Sequence, residues 1–161
     1  METVKDAETA ARESVSLIEH EVTLLIRRAE AARKEREAEV LDRSAYLLLG
    51  ELERSGPLGI AALGQAFQVD ISTASRQIAG LESKGLVTRR PDPADGRISL
   101  LRITRLGREQ YQATRAARLA LFDTLLAGWP LEDRREFAAY LARLNHAIRR
   151  RAARPGAPAT E

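Results

Sequence analysis

The apolar residues in the first third of the chain recur with a helical period. Near the N-terminus the spacing i, i+3, i+4, i+7 predicts an amphipathic helix of about 25 residues, with a stripe of Val15, Ile18, Val22, Leu25, Ile26 and Ala29. The polar stretch ARKEREAE is expected to end this helix or to link it to the next. A second helix is predicted behind Asp42 as N-cap, with a stripe of Ala45, Leu48, Leu49 and Leu52. The helix-breaking sequence Ser55-Gly56-Pro57 ends it.

Two further helices follow, joined by a tight turn. The first is short and carries Ile60, Leu63 and Phe67, and Gln68-Val69-Asp70 forms the turn. Asp70 is the expected N-cap of the second, which runs to about Lys84 and ends at Gly85 in the left-handed position. Its packing stripe is Ala74, Ile78 and Leu81. The opposite face is polar and consists of Ser72, Thr73, Ser75, Arg76 and Gln77.

After Gly85 the apolar period falls from 3.6 to about 2, which is typical of strands. Two short strands are predicted, at residues 86–90 and 98–103, and PDPADGR between them forms a hairpin tip. Thr104 is the expected cap of a long helix that Gly128-Trp129-Pro130 interrupts. The last helix has a seam for pairing with another helix, made of Phe137, Leu141, Leu144 and Ile148. The tail after Arg151 is expected to be disordered.

A short helix, a tight turn, a capped helix and a two-stranded hairpin make up a winged helix-turn-helix. Short polar side chains on the second helix of this unit can bond base edges or phosphates in the major groove, and Arg76 suits either a guanine or a phosphate. The wing tip presents Arg97, for the minor groove or a phosphate, while Asp95 either orients Arg97 or stabilises the turn. Of Arg89 and Arg90, we expect one to contact a phosphate and the other to pair with an acid within the fold.

The charge distribution agrees with a nucleic-acid partner. Residues 71–108 contain eight Lys or Arg and three Asp or Glu, a net charge of +5, whereas the rest of the chain carries −2 within a total of +3. One basic segment in a neutral-to-acidic body is typical of DNA-binding proteins. A winged helix that has lost DNA binding and serves as a protein-interaction module is the alternative, and a protein without salt-dependent affinity for any duplex would favour it.

Several other classes of protein are not expected. There is no cysteine, which excludes disulfides and thiolate zinc sites, and the two histidines, His20 and His146, lie at opposite ends of the chain. No nucleotide-binding loop, H-E-x-x-H or G-x-S-x-G motif occurs, so no catalytic residue, cofactor or metal is predicted. Without a long apolar run or a signal peptide, we expect a soluble, cytoplasmic protein that does not enter a membrane.

The segment from Asp70 to Glu109 resembles the core of the MarR-type transcriptional regulators. The matching motifs are Ser72-Thr73-Ala74-Ser75-Arg76, Leu81-Glu82-Ser83-Lys84-Gly85-Leu86-Val87, Arg89, Asp95-x-Arg97 and Ile103-Thr104-x-x-Gly107. Helix order and lengths extend the likeness from Glu13 to Arg150. The chain departs from the family at Ile103, where Leu is usual, and at Gly59 and Gly64, where a polar cap and Ala are usual.

The resemblance implies a mainly α-helical homodimer with a small β-hairpin wing. Residues 36–104 would form the DNA-binding domain, residues 1–35 and 105–151 the dimerisation helices, and residues 152–161 a disordered tail. The resemblance also implies a repressor that binds an inverted-repeat operator. A small, often aromatic, ligand would release the repressor from this operator. Tyr46 and Trp129 are candidate pocket walls or core aromatics, and His20 is a candidate ligand or pH-sensing group or a structural histidine.

Overall fold

The computed structural model describes residues 2–35 and 41–152, and this part of the chain is mainly helical. The chain divides into two compact units, residues 1–39 and residues 40–161. The first unit contains one helix, and the second contains a three-stranded sheet with five helices among its described residues. In chain order the elements are α1 (Glu2–Glu35), α2 (Arg43–Ser55), β1 (Leu58–Gly59), α3 (Ile60–Phe67), α4 (Ile71–Ser83), β2 (Val87–Pro91), β3 (Ser99–Ile103), α5 (Arg105–Leu125) and α6 (Leu131–Ala152).

Helix α1 is longer than the apolar pattern predicts. It has 34 residues, and it begins well before the first residue of the stripe, Val15. Residues 2–14 are rich in Glu and Ala, which favour a helix without needing an apolar face, so periodicity underestimated its length. The predicted stripe is open to solvent, and the side chains of Val15, Ile18, Leu25 and Ile26 are each more than half exposed.

The core of the second unit is built around α2. All four residues of its predicted stripe are buried, and Leu49 is completely inaccessible. The Asp42 carboxylate accepts a hydrogen bond from the backbone N–H of Ala45 at 2.8 Å, which confirms the predicted N-cap. The remaining large core side chains come from α3, α4, the sheet and the segments before α2 and after α4, and they are Leu41, Leu63, Ile78, Leu81, Leu86, Val87 and Leu101.

The sheet has one strand more than the two that were predicted. Its order is β1-β3-β2 with antiparallel pairs, and β3 is central, with Leu101 opposite both Leu58 and Arg89. Strand β1 has only two residues, which is too short to give an alternating pattern. The two predicted strands are present, with bounds at residues 87–91 and 99–103.

Helix α4 ends in the left-handed turn that the sequence predicts. Gly85 has a φ of 69°, its N–H donates to the Glu82 carbonyl at 2.9 Å, and the N–H of Leu86 donates to the Leu81 carbonyl at 2.9 Å. These two bonds form a Schellman motif, which reverses the chain sharply at a helix end. The motif therefore fixes the direction in which β2 leaves α4.

The second half of α5 and the whole of α6 keep their apolar faces exposed. Thr104 caps α5 as predicted, by accepting from the N–H of Gly107 at 3.0 Å, and Leu126 is the C-cap of α5. No residue of α6 is buried, and exposed apolar side chains include Phe122, Leu125, Phe137, Leu141, Leu144 and Ile148. Ala152 still belongs to α6, and the rest of the predicted tail lies outside the described residues.

Candidate nucleic-acid interface

Asp70 organises the first turn of α4, which is the predicted recognition helix. Its carboxylate accepts hydrogen bonds from the Ser72 hydroxyl at 2.5 Å, the Thr73 backbone N–H at 2.7 Å and the Thr73 hydroxyl at 2.8 Å. These donors, the Ser72 hydroxyl first among them, hold the pKa of Asp70 well below its usual range. The helix therefore begins at a fixed, negatively charged cap.

The same bonds limit what Ser72 and Thr73 offer to DNA. A hydroxyl that donates its proton to Asp70 has only lone pairs left for a ligand. In this state both side chains can accept from the amino groups of cytosine or adenine, but they cannot donate to a phosphate oxygen. Ser72 is exposed and Thr73 is partly buried.

Further along α4, the predicted polar residues fall on one accessible side of the helix. Arg76 is exposed, and its Nη2 lies 3.5 Å from the Thr73 hydroxyl oxygen, while Ser75 and Gln77 are partly buried. Gln77 reaches across to α2, where its Nε2 lies 3.4 Å from the Ser44 hydroxyl. Ser44 was not among the predicted site residues, although its place in the first turn behind the Asp42 cap could have suggested it.

A small cavity separates the start of α2 from α4. Its volume is about 160 Å³, and Arg76 and Gln77 line it together with Ser44 and Lys84. The exposed end of α2 thus lies beside the polar face of the recognition helix. Both elements face the same surface, so α2 belongs to the candidate interface.

Arg89 and Arg90 occupy different environments. Arg89 forms a two-pronged ion pair with Glu82, with Nε–Oε1 at 3.1 Å and Nη2–Oε2 at 3.0 Å. Hydrogen bonding to Arg89 lowers the pKa of Glu82, and the same contact raises the pKa of Arg89. Arg90 is exposed and has no carboxylate partner within residues 2–35 and 41–152. Arg89 thus ties β2 to α4, which leaves Arg90 accessible.

The wing tip is a rigid turn that exposes a cation. The Asp95 carboxylate accepts from the backbone N–H of Arg97 at 3.0 Å, and the Ile98 N–H donates to the Asp95 carbonyl at 2.9 Å. Asp92 makes the equivalent side-chain bond to the N–H of Ala94 at 2.8 Å. Asp95 therefore stabilises the turn through the backbone, and the Arg97 side chain is exposed.

Tyr46 belongs to a cluster between α2 and α5. Its ring stacks on Tyr111 with centroids 5.2 Å apart, and the Arg118 guanidinium lies 4.4 Å from the Tyr46 centroid. Burial raises the pKa of the Tyr111 hydroxyl. Thr114, one turn further along α5, is 6% exposed, and its Oγ1 has no hydrogen-bond partner among the described residues. Of this group only Tyr46 was a predicted ligand residue, and Tyr111 was predicted as one of the apolar positions of the long helix after Thr104.

The other two candidate ligand residues lie elsewhere. Trp129 packs against Phe137 at the junction of α5 and α6, with ring centroids 5.4 Å apart. His20 is an exposed residue of α1, in the other compact unit. Within the described residues there is no cluster of three or more metal-ligating side chains. No helix in the same part of the chain is long and apolar enough to cross a membrane.

Comparison with known proteins agrees with this architecture. The family model described as MarR family matches residues 41–99. The chain is 42% identical over 135 residues to the HTH-type transcriptional regulator YxaD of Bacillus subtilis, covering 83% of this chain and 94% of YxaD. It is 32% identical over 108 residues to the regulator YdgJ of the same organism, covering 67% of this chain and 66% of YdgJ.

A solved structure also shares the fold. The PcaV transcriptional regulator of Streptomyces coelicolor, in complex with its natural ligand, superposes with a TM-score of 0.63 at 25% identity, over 77% of this chain and 91% of PcaV. These relatives are transcriptional regulators and not enzymes. Together with the capped recognition helix and the wing, the matches establish that the chain belongs to the MarR family of winged helix-turn-helix transcriptional regulators.

Proposed function

We propose that this protein is a homodimeric repressor that binds an inverted-repeat operator and leaves it when a small aromatic ligand binds. The observation that carries the proposal is the combination of an exposed polar face on a rigidly capped α4 with an exposed Arg97 on a rigid wing. A winged helix of this type reads base edges with its recognition helix and holds the backbone or minor groove with its wing. We propose cytoplasmic localisation, because a regulator of this kind acts where its operator DNA is transcribed.

The proposed DNA contacts divide by chemistry. Short polar groups of α4 and Arg76 would read bases, and the cations Arg90 and Arg97 would hold phosphates or the minor groove. Arg89 would act indirectly, since its ion pair with Glu82 positions β2 against α4. Asp95 would act by holding the wing turn. The proposed set is Ser72, Thr73, Ser75, Arg76, Gln77, Arg89, Arg90, Asp95 and Arg97.

The exposed apolar faces support a dimer. Helix α6 has no buried residue although Phe137, Leu141, Leu144 and Ile148 recur at the spacing of a helix seam. Helix α1 also exposes its apolar stripe. Apolar surface of this extent marks an interaction site, and a two-fold dimer would set two recognition helices about 34 Å apart, one turn of DNA. Residues 1–35 and 105–151 would then form the dimerisation region, and residues 36–104 the DNA-binding domain.

The cluster at Tyr46 supports a ligand that acts between the two regions. Tyr46 lies on α2 of the DNA-binding domain, and Arg118 lies on α5, which continues into the proposed dimerisation region. An aromatic face beside a guanidinium suits an aromatic carboxylate or phenolate. A ligand that binds more tightly to dimers with wrongly spaced recognition helices would release the operator. His20 and Trp129 are the other proposed ligand residues.

One set of binding measurements tests the proposal. Duplexes from the region upstream of the gene, with and without an inverted repeat, are titrated with the full-length protein at several salt concentrations. We expect a dimer by light scattering, tight salt-dependent binding to the inverted repeat, and weaker binding to the scrambled duplex. A panel of aromatic acids should include one that weakens the complex. A protein without salt-dependent affinity for any duplex would overturn the DNA-binding function.

A further inference from the structure

The C-terminal end of α6 lies against the turn that precedes the recognition helix. Gln68, which adopts a left-handed conformation with φ of 53°, donates from Nε2 to the carbonyl oxygen of Arg149 at 2.8 Å. Ala152 lines an open groove of about 570 Å³ together with Asp70 and Ile71, the cap and first residue of α4. The last turn of α6 is therefore adjacent to the N-terminus of the recognition helix.

This last turn is strongly basic, because it contains Arg149, Arg150 and Arg151 in succession. Arg149 interacts electrostatically with Glu51 of α2. Arg150 and Arg151 are exposed, and no carboxylate within residues 2–35 and 41–152 forms an ion pair with either. Cations stabilise the negative end of a helix, which accounts for a basic last turn but not for its position beside α4.

We infer that Arg150 and Arg151 hold DNA phosphates beside the major groove that α4 enters. A recognition helix enters the groove with its N-terminal residues, so the phosphates bordering the groove pass close to that end. The Asp70 carboxylate is charged at the same end and would repel them. Arg150 and Arg151 carry the opposite charge on the adjacent last turn of α6. The inference rests on the proposed operator binding, and it adds a third contact to those of α4 and the wing.

The inference can be tested with full-length R150Q/R151Q and a matched control, R135Q/R143Q. Both double variants remove two exposed cations from α6, but Arg135 and Arg143 lie toward the other end and middle of the helix. Both variants have the same net charge, so a loss of affinity that depends only on net charge would be the same in both. Operator affinity is measured by fluorescence anisotropy at several salt concentrations, together with thermal unfolding and dimer mass.

For R150Q/R151Q we expect the affinity for the operator to fall by about tenfold or more. The affinity for the scrambled duplex should fall by the same factor. The slope of log affinity against log salt should become shallower by about 0.9 for each phosphate that the variant no longer binds. The control should keep the wild-type slope. R150K/R151K should recover most of the affinity, because lysine also holds phosphates as a point charge.

Two results would overturn the inference. In the first, R150Q/R151Q binds like R135Q/R143Q. In the second, the affinity of R150Q/R151Q falls while its salt slope is unchanged, and either its Tm is lower or its dimer dissociates. That result would show that the two arginines stabilise the fold or the dimer and do not bind phosphates. Wild-type protein that binds no duplex would instead overturn the proposed function itself, so the two failures are distinguishable.

Discussion

Gly107 packs directly against the backbone carbonyl of Leu86. A Cβ at position 107 would lie 2.9 Å from the Leu86 carbonyl carbon and would overlap its oxygen. The Thr104 hydroxyl donates to the Gly85 carbonyl at 2.7 Å, and the Thr104 N–H donates to the Leu86 carbonyl at 3.0 Å. The motif Ile103-Thr104-x-x-Gly107 therefore joins the start of α5 to the end of α4, with a close approach that only glycine permits.

Gly107→Ala should destabilise the winged unit, because the atoms in the way belong to the backbone and cannot rotate aside. Overpacking of this kind costs about 1–3 kcal/mol or more. Urea unfolding followed by circular dichroism would measure the change. Gly80→Ala is a matched control, since nothing lies within 4 Å of a Cβ there, and alanine favours the helix by up to about 1 kcal/mol. Equal stability of the two variants would contradict the packing argument.

Acid should weaken the fold partly through Asp70. Its pKa is lowered on folding, so its charged form stabilises the folded state above the unfolded pKa of about 4, and this contribution is lost as the pH falls below that value. Asp70→Asn keeps an N-cap acceptor but has no charge to lose. We expect the variant to be less stable than wild type at pH 7 and to approach it in strongly acidic solution. The urea unfolding midpoints of both proteins are measured at a series of pH values. If the two midpoints change in parallel with pH, the charge on Asp70 does not contribute to stability.

Local patterns predicted most of the fold. The caps at Asp42, Asp70 and Thr104 and the left-handed Gly85 are short-range features, and each is present in the structure. Strand β1 was missed because two residues carry no periodicity, and its pairing with β3 depends on residues more than 40 positions away, as in Leu58 opposite Leu101.

The partners of the site residues were less accessible to sequence reasoning. Only the folded chain places Gln77 beside Ser44 and Arg118 over Tyr46, because the members of each pair are far apart in the sequence. For Arg89 and Arg90, the sequence left open which one pairs within the fold, and the structure assigns that role to Arg89 through Glu82. Local sequence patterns therefore could not predict which side chains pair over long distances in the sequence.

Arg97→Ala should weaken operator binding while leaving the wing intact, because the turn is held by backbone and Asp95 contacts that do not involve the guanidinium. Removing a DNA contact of this type costs about 1–3 kcal/mol, or roughly 5- to 150-fold in affinity. Anisotropy titration measures the affinity, and light scattering checks the dimer. Arg135→Ala, on exposed α6, is the control for loss of one charge. Wild-type affinity in the Arg97 variant would refute the role of the wing.

Arg76→Ala should relax the sequence preference of the protein. Arg76 reaches back toward Thr73, at the end of α4 that is proposed to enter the groove, where a guanidinium can bond a guanine edge with two hydrogen bonds. We expect a loss of about 1–3 kcal/mol on the operator and a much smaller loss on a scrambled duplex. Selection from a randomised duplex library would locate the position that loses its preference. A uniform loss, with a salt slope shallower by about one, would identify a phosphate contact instead.

Thr114→Val and Thr104→Val should differ in their effect on the free energy of unfolding, although both remove a hydroxyl from α5 or its cap. The Thr114 hydroxyl is buried without a hydrogen-bond partner among the described residues, so the isosteric valine removes a desolvation cost and should leave stability unchanged or raise it by up to about 1 kcal/mol. The Thr104 hydroxyl caps α5 and bonds the Gly85 carbonyl, so its loss should cost about 0.5–2 kcal/mol. Urea unfolding measures both. A destabilised Thr114→Val protein would show that the hydroxyl has a partner in the assembled protein, and repeating the measurement at several protein concentrations would reveal whether the dimer supplies it.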